Sequence, residues 1–389
     1  MIKHLQISNL RNLSQVNLST SCCNIIIGNN GSGKTSLLES IFLLSRGKSF
    51  RTHQPSRYIK HRKDFAIVFA IFDDDTRLAI QKQTDATTQL RFNGDTVKTQ
   101  SSLTRYMPTL LIDPSSMNIL EQGSASRRQL LDWLAFHVKP NFYTQWLAYQ
   151  RLLKQRNSLL KQTRILTDLQ KQQIAAWDLG LATHAKSIHY YRQQVFDEWQ
   201  PYFLESMDKL LPHYTKKINV SYQPGFNVSQ SLDKILEGRL LQDLQQGYTR
   251  VGSHRADIHV NWQSKIDSKN KVKEQAANVL SRGEKKLLIT ALKLSQLPLL
   301  QKHKNKLKSN TDVSYETLNY ERSVPIVLLD DVTAELDEKA IKVLLTTLGG
   351  LDCQVFLTSL TENILPLVKD YWQDYKLFHV KQGSIEQSN

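Results

Sequence analysis

A glycine-rich segment near the amino terminus restricts the fold of this chain more than any other feature. Residues 28–35 read GNNGSGKT, which fits the pattern G-x-x-x-x-G-K-[ST]. The segment follows a short apolar stretch, Asn24–Ile27, and precedes the periodic sequence SLLESIFLL. The spacing predicts a strand, a tight glycine turn and a helix in immediate succession. This order predicts an α/β fold with the glycine loop between strand and helix.

The predicted loop has the chemistry of a phosphate-binding site. Glycines let the backbone curl so that its N–H groups face an anion, and the positive end of the helix dipole points at the same place. Lys34 is expected to reach the β- and γ-phosphates of a nucleotide, and the Thr35 hydroxyl to bind Mg²⁺. A purely structural glycine turn is the alternative, and it does not account for the flanking strand and helix. The predicted nucleotide-binding residues are Gly28, Asn29, Asn30, Gly31, Ser32, Gly33, Lys34, Thr35 and Ser36.

A pair of acids near the carboxyl terminus extends this site. Residues 326–329 form a continuous apolar strand that ends at Asp330 and Asp331. A buried parallel strand that ends in an acid places a carboxylate beside the phosphate loop. Acid pairs at strand ends are common, so this pair indicates a functional site only because the chain also contains the phosphate loop. We therefore predict that Asp330 joins the Mg²⁺ shell and that the catalytic residues are Lys34 and Asp331, with Asp331 orienting the attacking water.

A third motif, LSRGEKKL at 280–287, lies between the other two. Taken alone, Ser281 and Glu284 form an S-x-x-E capping box at a helix start. The segment also resembles the LSGGQ signature of ABC-type ATPases, with Arg282 and Glu284 in place of the usual Gly and Gln. That resemblance implies that Ser281 and Gly283 contact ATP bound to the opposite subunit of a dimer. It also implies that the AELD segment, 334–337, communicates across that dimer.

Composition limits the class of protein and its partners. The 389 residues suffice for two or three domains, and three cysteines cannot form a disulfide framework. No stretch is apolar enough for a membrane span or a secretory signal, so we expect a cytoplasmic location and no membrane contact. Lys and Arg number 51 against 36 acids, a formal net charge of +15. An excess of that size favours a polyanionic partner, usually nucleic acid.

The secondary structure that the sequence pattern predicts changes twice along the chain. Glycine-punctuated strand patterns dominate the first part, long helical periodicity occupies about 124–213, and strand patterns return near residue 217. We predict an ATPase head formed by residues 1–115 and 216–389, with a helical arm or lobe, residues 116–215, inserted between them. Helices are expected from Pro140 onward and over about 169–191. The polar stretch 301–323 is predicted to be a solvent-exposed insert.

The spacing of the motifs separates branches of the ABC-type ATPases. Ser281 lies 247 positions after Lys34. By resemblance, transporter ATPases place the signature much sooner, whereas SMC-type proteins insert far longer coiled coils. The chain is similar to the RecF family of bacterial recombination ATPases over essentially its whole length. The segments that carry this resemblance are GKSFR (47–51), RRQLLDW (127–133), LKQRNSLLK (153–161), GSHRADI (252–258), LSRGEKK (280–286) and LLDDVTAELD (328–337).

The RecF resemblance implies a function. It implies an ATP-dependent homodimer that binds double-stranded DNA and gapped junctions, hydrolyses ATP slowly with stimulation by DNA, and works with RecR and RecO to load RecA on single-stranded DNA. Arg127, Arg128 and Arg255 are the predicted DNA contacts, with solvated or hydrogen-bonded structural roles as alternatives. The family usually has GPHR where this chain has Ser253 as the second residue. No residue is assigned the role of the ABC histidine, because Thr358 and Ser359 occupy that region.

Three other functions compete with this interpretation. A transport-coupled ATPase subunit would share the three motifs, but the late signature and the positive charge disfavour it. An SMC-like structural DNA tether would need sustained heptads, and residues 141–210 hold few of them. A small-molecule P-loop kinase would explain the phosphate loop but neither LSRGEKK nor the AELD segment.

Overall fold

The computed structural model describes residues 1–163, 165–263, 273–309 and 324–388. The strands, in chain order, are β1 (Ile2–Leu10), β2 (Leu13–Ser19), β3 (Cys23–Ile27), β4 (Phe65–Phe72), β5 (Arg77–Gln83), β6 (Thr88–Phe92), β7 (Asp95–Thr96), β8 (Thr109–Ile112), β9 (Ile218–Gln223), β10 (Asp257–Gln263), β11 (Lys273–Gln275), β12 (Ile326–Leu329), β13 (Gln354–Ser359), β14 (Tyr375–Lys381) and β15 (Ser384–Ser388). The helices are α1 (Lys34–Arg46), α2 (Gln100–Tyr106), α3 (Asn118–Glu121), α4 (Ser124–Val138), α5 (Phe142–Gln162), α6 (Asp168–Leu210), α7 (Leu232–Gly238), α8 (Leu240–Gln246), α9 (Ala276–Val279), α10 (Arg282–Leu294), α11 (Gln296–Ser309), α12 (Val332–Glu335), α13 (Glu338–Gly349) and α14 (Leu365–Lys369).

The chain divides into two compact units. Met1–Ser116 and Gln301–Asn389 form one, here called the head unit, and Met117–Leu300 form the other, here called the lobe unit. The first division falls next to the predicted boundary at residue 115. Residues 216–300, which were predicted to belong to the head, group instead with the helices, because β9 contacts α6 and β10 contacts α4.

The head unit contains two sheets. The first is antiparallel, in the order β2-β1-β4-β5-β6-β7. Its strands alternate buried and exposed side chains, as a half-buried sheet requires. Asn93 and Gly94 connect β6 to β7 with positive φ angles of 52° and 93°, as a tight hairpin turn requires.

The second head sheet positions the candidate site. Its order is β15-β14-β3-β13-β12-β8, and all neighbours are parallel except the edge pair β14–β15. β3 and β12 are buried along their whole length, which explains their continuous apolar sequences. The carboxyl ends of parallel strands share one edge of a sheet. The loops after β3, β8, β12 and β13 therefore meet there.

A single apolar core joins the head sheets to α1. Leu37, Leu38 and Ile41 of α1 are completely buried in it, together with side chains of both sheets. The periodic sequence after the phosphate loop thus forms the predicted amphipathic helix.

The lobe unit is built from long helices and a small sheet. α5 has 21 residues and α6 has 43, which extends well beyond the predicted helix at 169–191. A capping box between Thr167 and Gln170 begins α6. The antiparallel sheet β11-β10-β9 packs with these helices.

The first part of the predicted insert at 301–323 is helical in the structure. Residues 301–309 are helical, because α11 starts at Gln296 and continues through them without a helix breaker. Residues 310–323 lie outside the described residues. Within the described part of the chain, no helix has both the length and the apolar character to cross a membrane.

Candidate functional site: a nucleotide cleft and a signature helix

The glycine loop connects β3 to α1, and α1 begins at Lys34, as the motif predicts. Gly31 and Gly33 have φ angles of +78° and +123°, which side-chain-bearing residues rarely adopt. A Cβ atom at Gly28 would lie 2.4 Å from the carbonyl oxygen of Val380. The backbone therefore requires glycine at these points to curl towards the end of the sheet.

Lys34 is 7% exposed, and its ammonium folds back onto its own loop. Nζ donates to the carbonyl oxygens of Gly28 at 2.7 Å and Asn29 at 3.1 Å. Burial lowers the pKa of Lys34, and the nearby carboxylates of Asp331 and Asp330 oppose that effect. The cation is thus held at the loop and is partly balanced by the acid pair.

Thr35 and Asp330 are in direct contact, as their predicted shared role requires. The Thr35 hydroxyl donates to Oδ1 of Asp330 at 3.0 Å, and the Thr358 hydroxyl donates to the same oxygen at 2.9 Å. Burial raises the pKa of Asp330, and these two hydrogen bonds act in the opposite direction. A hydroxyl and a carboxylate at a phosphate loop are oxygen ligands of the kind that Mg²⁺ prefers.

Asp331 has a strained backbone at the same edge. Its φ and ψ are 57° and 42°, in the left-handed region, and its N–H donates to the Thr358 hydroxyl at 2.7 Å. Such a conformation costs about 1–3 kcal/mol and concentrates at functional sites. Oδ1 of Asp331 and Oγ of Ser32 are buried and have no hydrogen-bond partner among the described residues. Unsatisfied buried oxygens beside Lys34 fit a site that is completed by a polar ligand.

A cleft of about 850 Å³ joins these groups. Seven of the nine predicted loop residues line it together with both acids; Gly28 and Asn29 do not, although their carbonyl oxygens bind Lys34. Several other polar residues of the lining were not predicted from the sequence to belong to the site: Arg11, Asn12, Arg51, Ser56, Arg57, His61, Asp113, Ser115 and Thr358.

Some of these missed residues left a signal in the sequence. Asp113 follows β8, which is an apolar strand ending in an acid, like β12. Asn12 left none. Its amide nitrogen donates to the carbonyl oxygen of Ser32 at 2.8 Å, and the Ser36 hydroxyl donates to its amide oxygen at 3.1 Å. Asn12 therefore braces the phosphate loop from the turn between β1 and β2.

The predicted signature begins a helix in the lobe unit. Ser281 caps α10: its hydroxyl accepts the Glu284 N–H at 3.4 Å, and the Glu284 carboxylate accepts the Ser281 N–H at 2.8 Å. The Tyr214 hydroxyl also donates to Glu284. Ser281 and Gly283 are both exposed, and a Cβ at Gly283 would meet nothing within 4 Å. The capping box is present, and both residues are accessible to a second molecule.

The three predicted DNA contacts differ in their surroundings. Arg127 donates to both carboxylate oxygens of Asp257 at 2.8 and 2.9 Å, and Arg128 donates to the carbonyl oxygen of Ala256 at 2.8 Å. These bonds give both arginines a structural role at the start of β10. Arg255 is exposed, and its guanidinium lies 5.5 Å from the centre of the Tyr248 ring. Of the three, Arg255 is the exposed one, whereas Arg127 and Arg128 are half-buried.

Comparisons with known proteins identify the family. The model of the RecF/RecN/SMC N-terminal domain matches residues 1–386. The DNA replication and repair protein RecF of Acinetobacter baumannii (strain SDF) is 39% identical over 386 residues, which cover 99% of this chain and 98% of the relative. The chain belongs to the RecF family. This confirms the resemblance that the motifs and their spacing indicated.

Solved structures agree with this assignment. A structure of the recombination mediator protein RecF-ATP in the RecFOR pathway covers 100% of this chain and 97% of its own, with a TM-score of 0.79 and 24% identity. A second structure, RecF-ATPrS in the same pathway, covers 100% and 98%, with a TM-score of 0.77 and 26% identity. The predicted fold class, an α/β ATPase head with helical insertions, is confirmed.

Membership in the RecF family also selects among the competing functions. The chain is a DNA replication and repair protein with the ATPase fold of that family. This assignment favours DNA repair over a transport-coupled subunit or a small-molecule kinase, because the family model and the relatives that match the chain over its full length are those of RecF proteins. The roles of single residues rest on the geometry described above.

Proposed function

We propose that this RecF-family chain is a cytoplasmic ATPase of recombinational repair in which two copies close on ATP and hold DNA. The observation that carries the proposal is the contact between Thr35 and Asp330 beside the buried, unpartnered oxygen of Asp331. A phosphate loop, a hydroxyl–carboxylate pair and a strained acid at one sheet edge form the set that phosphoryl transfer to water requires.

Each group in the cleft has a separate task. The loop N–H groups and Lys34 bind the β- and γ-phosphates, and Lys34 exchanges its bonds to its own loop for bonds to phosphate oxygens. Thr35 and Asp330 would hold Mg²⁺, which when bound neutralises charge on the phosphates. Asp331 orients the attacking water, and the backbone bond to Thr358 holds this residue at the cleft.

The signature helix gives ATP its second contact. Ser281 and Gly283 are exposed at the start of α10, where N–H groups and the helix dipole favour an anion. We infer that they contact the γ-phosphate of ATP bound to the partner. ATP then joins two subunits, and hydrolysis releases them. Turnover is accordingly slow and coupled to dimer opening.

DNA is the second ligand in this proposal. The net charge of +15 favours binding through phosphates, with little base specificity and an affinity that falls steeply with salt. Double-stranded DNA and gapped junctions are the proposed substrates. RecR and RecO are the proposed partners, and loading of RecA on single-stranded DNA is the proposed outcome. An SMC-like tether remains the alternative; it would hold DNA without a turnover-coupled release.

Steady-state ATP hydrolysis tests the proposal. Activity per molecule is measured over a tenfold range of protein concentration, with and without double-stranded DNA, and Lys34→Ala serves as the inactive control. A composite dimer site predicts that specific activity rises with concentration and with DNA. Specific activity that stays flat in both series would show that each cleft works alone, and would overturn the dimer proposal. Co-sedimentation with RecR in the presence of ATP tests the partner.

A further inference from the structure

The exposed face of α5 in the lobe unit has an unusual charge distribution. The 21 residues of α5 include Arg151, Lys154, Arg156 and Lys161 but no Asp or Glu. Arg151, Lys154 and Lys161 are exposed, whereas Arg156 is completely buried. A solvated helix surface usually mixes both signs of charge, so this face is distinctive.

A loop that carries two further arginines lies along the same helix. A side chain at Gly247 would come within 3.6 Å of Cγ of Lys161, and the Thr249 N–H donates to the Asn157 side chain at 2.8 Å. At the other end, the His254 ring and the Tyr149 hydroxyl are 2.8 Å apart. The loop 247–255 therefore follows α5 from Lys161 back to Tyr149, a distance of about 18 Å at 1.5 Å per residue.

Helix geometry places both lysines of α5 on the side of the helix that carries this loop. At 100° per residue, Lys154 and Lys161 lie within about 60° of Asn157, which binds the loop. The opposite side of α5 packs on α6, where Leu152 lies next to Gly180 and Gln145 bonds to His184. Lys154 and Lys161 thus border the loop rather than α6.

The loop supplies Arg250 and Arg255, which are both exposed. Two nearby acids, Asp178 and Asp243, are already paired in the interior, because both bind Arg156. Among the described residues, no carboxylate pairs with any of the five exposed cations. We call this surface the basic ridge; it consists of Arg151, Lys154, Lys161, Arg250 and Arg255.

We propose that the basic ridge binds the sugar–phosphate backbone of double-stranded DNA. The ridge matches a ligand that presents a uniform row of negative charges: about 18 Å corresponds to about five phosphates of one strand at 3.4 Å spacing. Long flexible cations without acids between them suit such a row, and they position DNA without reading its sequence. This inference rests on the proposed function and adds the surface that carries it. Arg255 is the one predicted DNA contact that belongs to the ridge.

Salt-dependent DNA binding tests the ridge. The full chain with ATP is titrated into a fluorescent duplex at several salt concentrations, and Lys154→Gln/Lys161→Gln/Arg250→Gln is compared with the wild type. Removing three phosphate-binding cations is expected to lower the slope of log affinity against log salt by about one unit per cation and to weaken binding to all sequences alike. ATP hydrolysis without DNA should stay at the wild-type level, and its stimulation by DNA should disappear.

The matched control removes the same charge from the same unit. Lys171, Lys209 and Lys234 are exposed, but each pairs with an acid three or four residues away. Lys171→Gln/Lys209→Gln/Lys234→Gln should change the slope much less. If both triple variants changed the salt slope equally, the assignment of DNA binding to the basic ridge would be wrong, while the proposed function would stay intact. Failure of the wild type itself to bind the duplex would overturn both.

A second polyanion separates DNA from a lipid surface. Vesicles rich in phosphatidylserine are offered to the same proteins. If the ridge variant loses vesicle binding but keeps the wild-type affinity for DNA, the ridge serves a membrane surface, and the DNA assignment is wrong.

Discussion

The hydroxyl of Thr35 and the carboxylate of Asp330 are 3.0 Å apart, although 295 positions separate the two residues in the chain. Neither residue is informative by itself, because Thr after Lys and Asp after an apolar strand are both common. Their contact, with Thr358 bonded to the same carboxylate oxygen, joins the glycine loop and the acid pair into one site. The glycine loop and the acid pair of the head unit therefore line one cleft, which is where the proposal above places the nucleotide.

Lys34→Ala should abolish ATP-dependent dimerisation. Lys34 is the buried cation of the phosphate loop, and alanine leaves the triphosphate without it. Sedimentation velocity with and without ATP measures the effect, and Lys369→Ala, an exposed lysine of the same unit, serves as control. ATP-dependent dimers of the Lys34 variant would remove this lysine from the proposed mechanism.

Asp331→Asn should preserve ATP binding and trap the dimer. An amide keeps the shape of the side chain, but it cannot orient water as a carboxylate does. Hydrolysis should fall by about 10²-fold or more, in keeping with the loss of an acid–base group. Asp330→Asn is the contrasting variant, because it should weaken binding of Mg²⁺-ATP itself. If both variants showed the same profile in binding and turnover assays, the separate roles of the two acids would be wrong.

Ser281→Arg should leave ATP binding intact and prevent closure, because the bulky side chain would block the approach of α10 to the nucleotide bound by the partner. Equilibrium binding of a fluorescent ATP analogue and dimerisation are measured on the same preparation. Ser281→Thr, which keeps a hydroxyl at the helix cap, should dimerise like the wild type. Normal dimerisation of the arginine variant would contradict the assignment of α10 to the interface.

Arg156→Met should destabilise the lobe unit by about 3–5 kcal/mol, because it leaves Asp178 and Asp243 buried without their cation. Burial already raises the pKa of Asp178 to about 6, with Arg156 opposing the rise. Urea unfolding followed by tryptophan fluorescence is suitable, since five of the six tryptophans lie in this unit. Arg151→Met, an exposed change on the same helix, should cost less than about 0.5 kcal/mol.

His254 should make the lobe unit less stable in acid. Burial lowers the pKa of His254 to about 4 from an ordinary value of 6.5. The unfolded chain then binds the proton more tightly than the folded chain, so stability decreases as the pH falls through 6.5 towards 4. Between pH 7 and pH 5 the decrease should be about 2 kcal/mol. His254→Asn should flatten this dependence, whatever its effect at pH 7; an unchanged pH slope would exclude His254 as its source.

Much of the head was predictable from local sequence. The pattern GNNGSGKT indicated a strand, a glycine turn and a helix, because the positive φ angles at Gly31 and Gly33 and the apolar periodicity after Lys34 are properties of one continuous segment. Asp330 and Asp331 were predictable for the same reason, as the end of a buried strand. The capping box at Ser281 also follows from residues three apart.

Tertiary structure decided the remainder, because it depends on partners distant in the chain. The sheet order β8-β12-β13-β3 brings Asp113, Asp330 and Thr358 to one edge, and no local pattern specifies that order. Arg127 and Arg255 looked alike as sequence, yet a carboxylate at 2.8 Å holds the first, whereas the second is exposed beside the ring of Tyr248. Residue type sets what a side chain is able to do. Its partners, which long-range packing supplies, determine whether its charge is used inside the fold or left for a ligand.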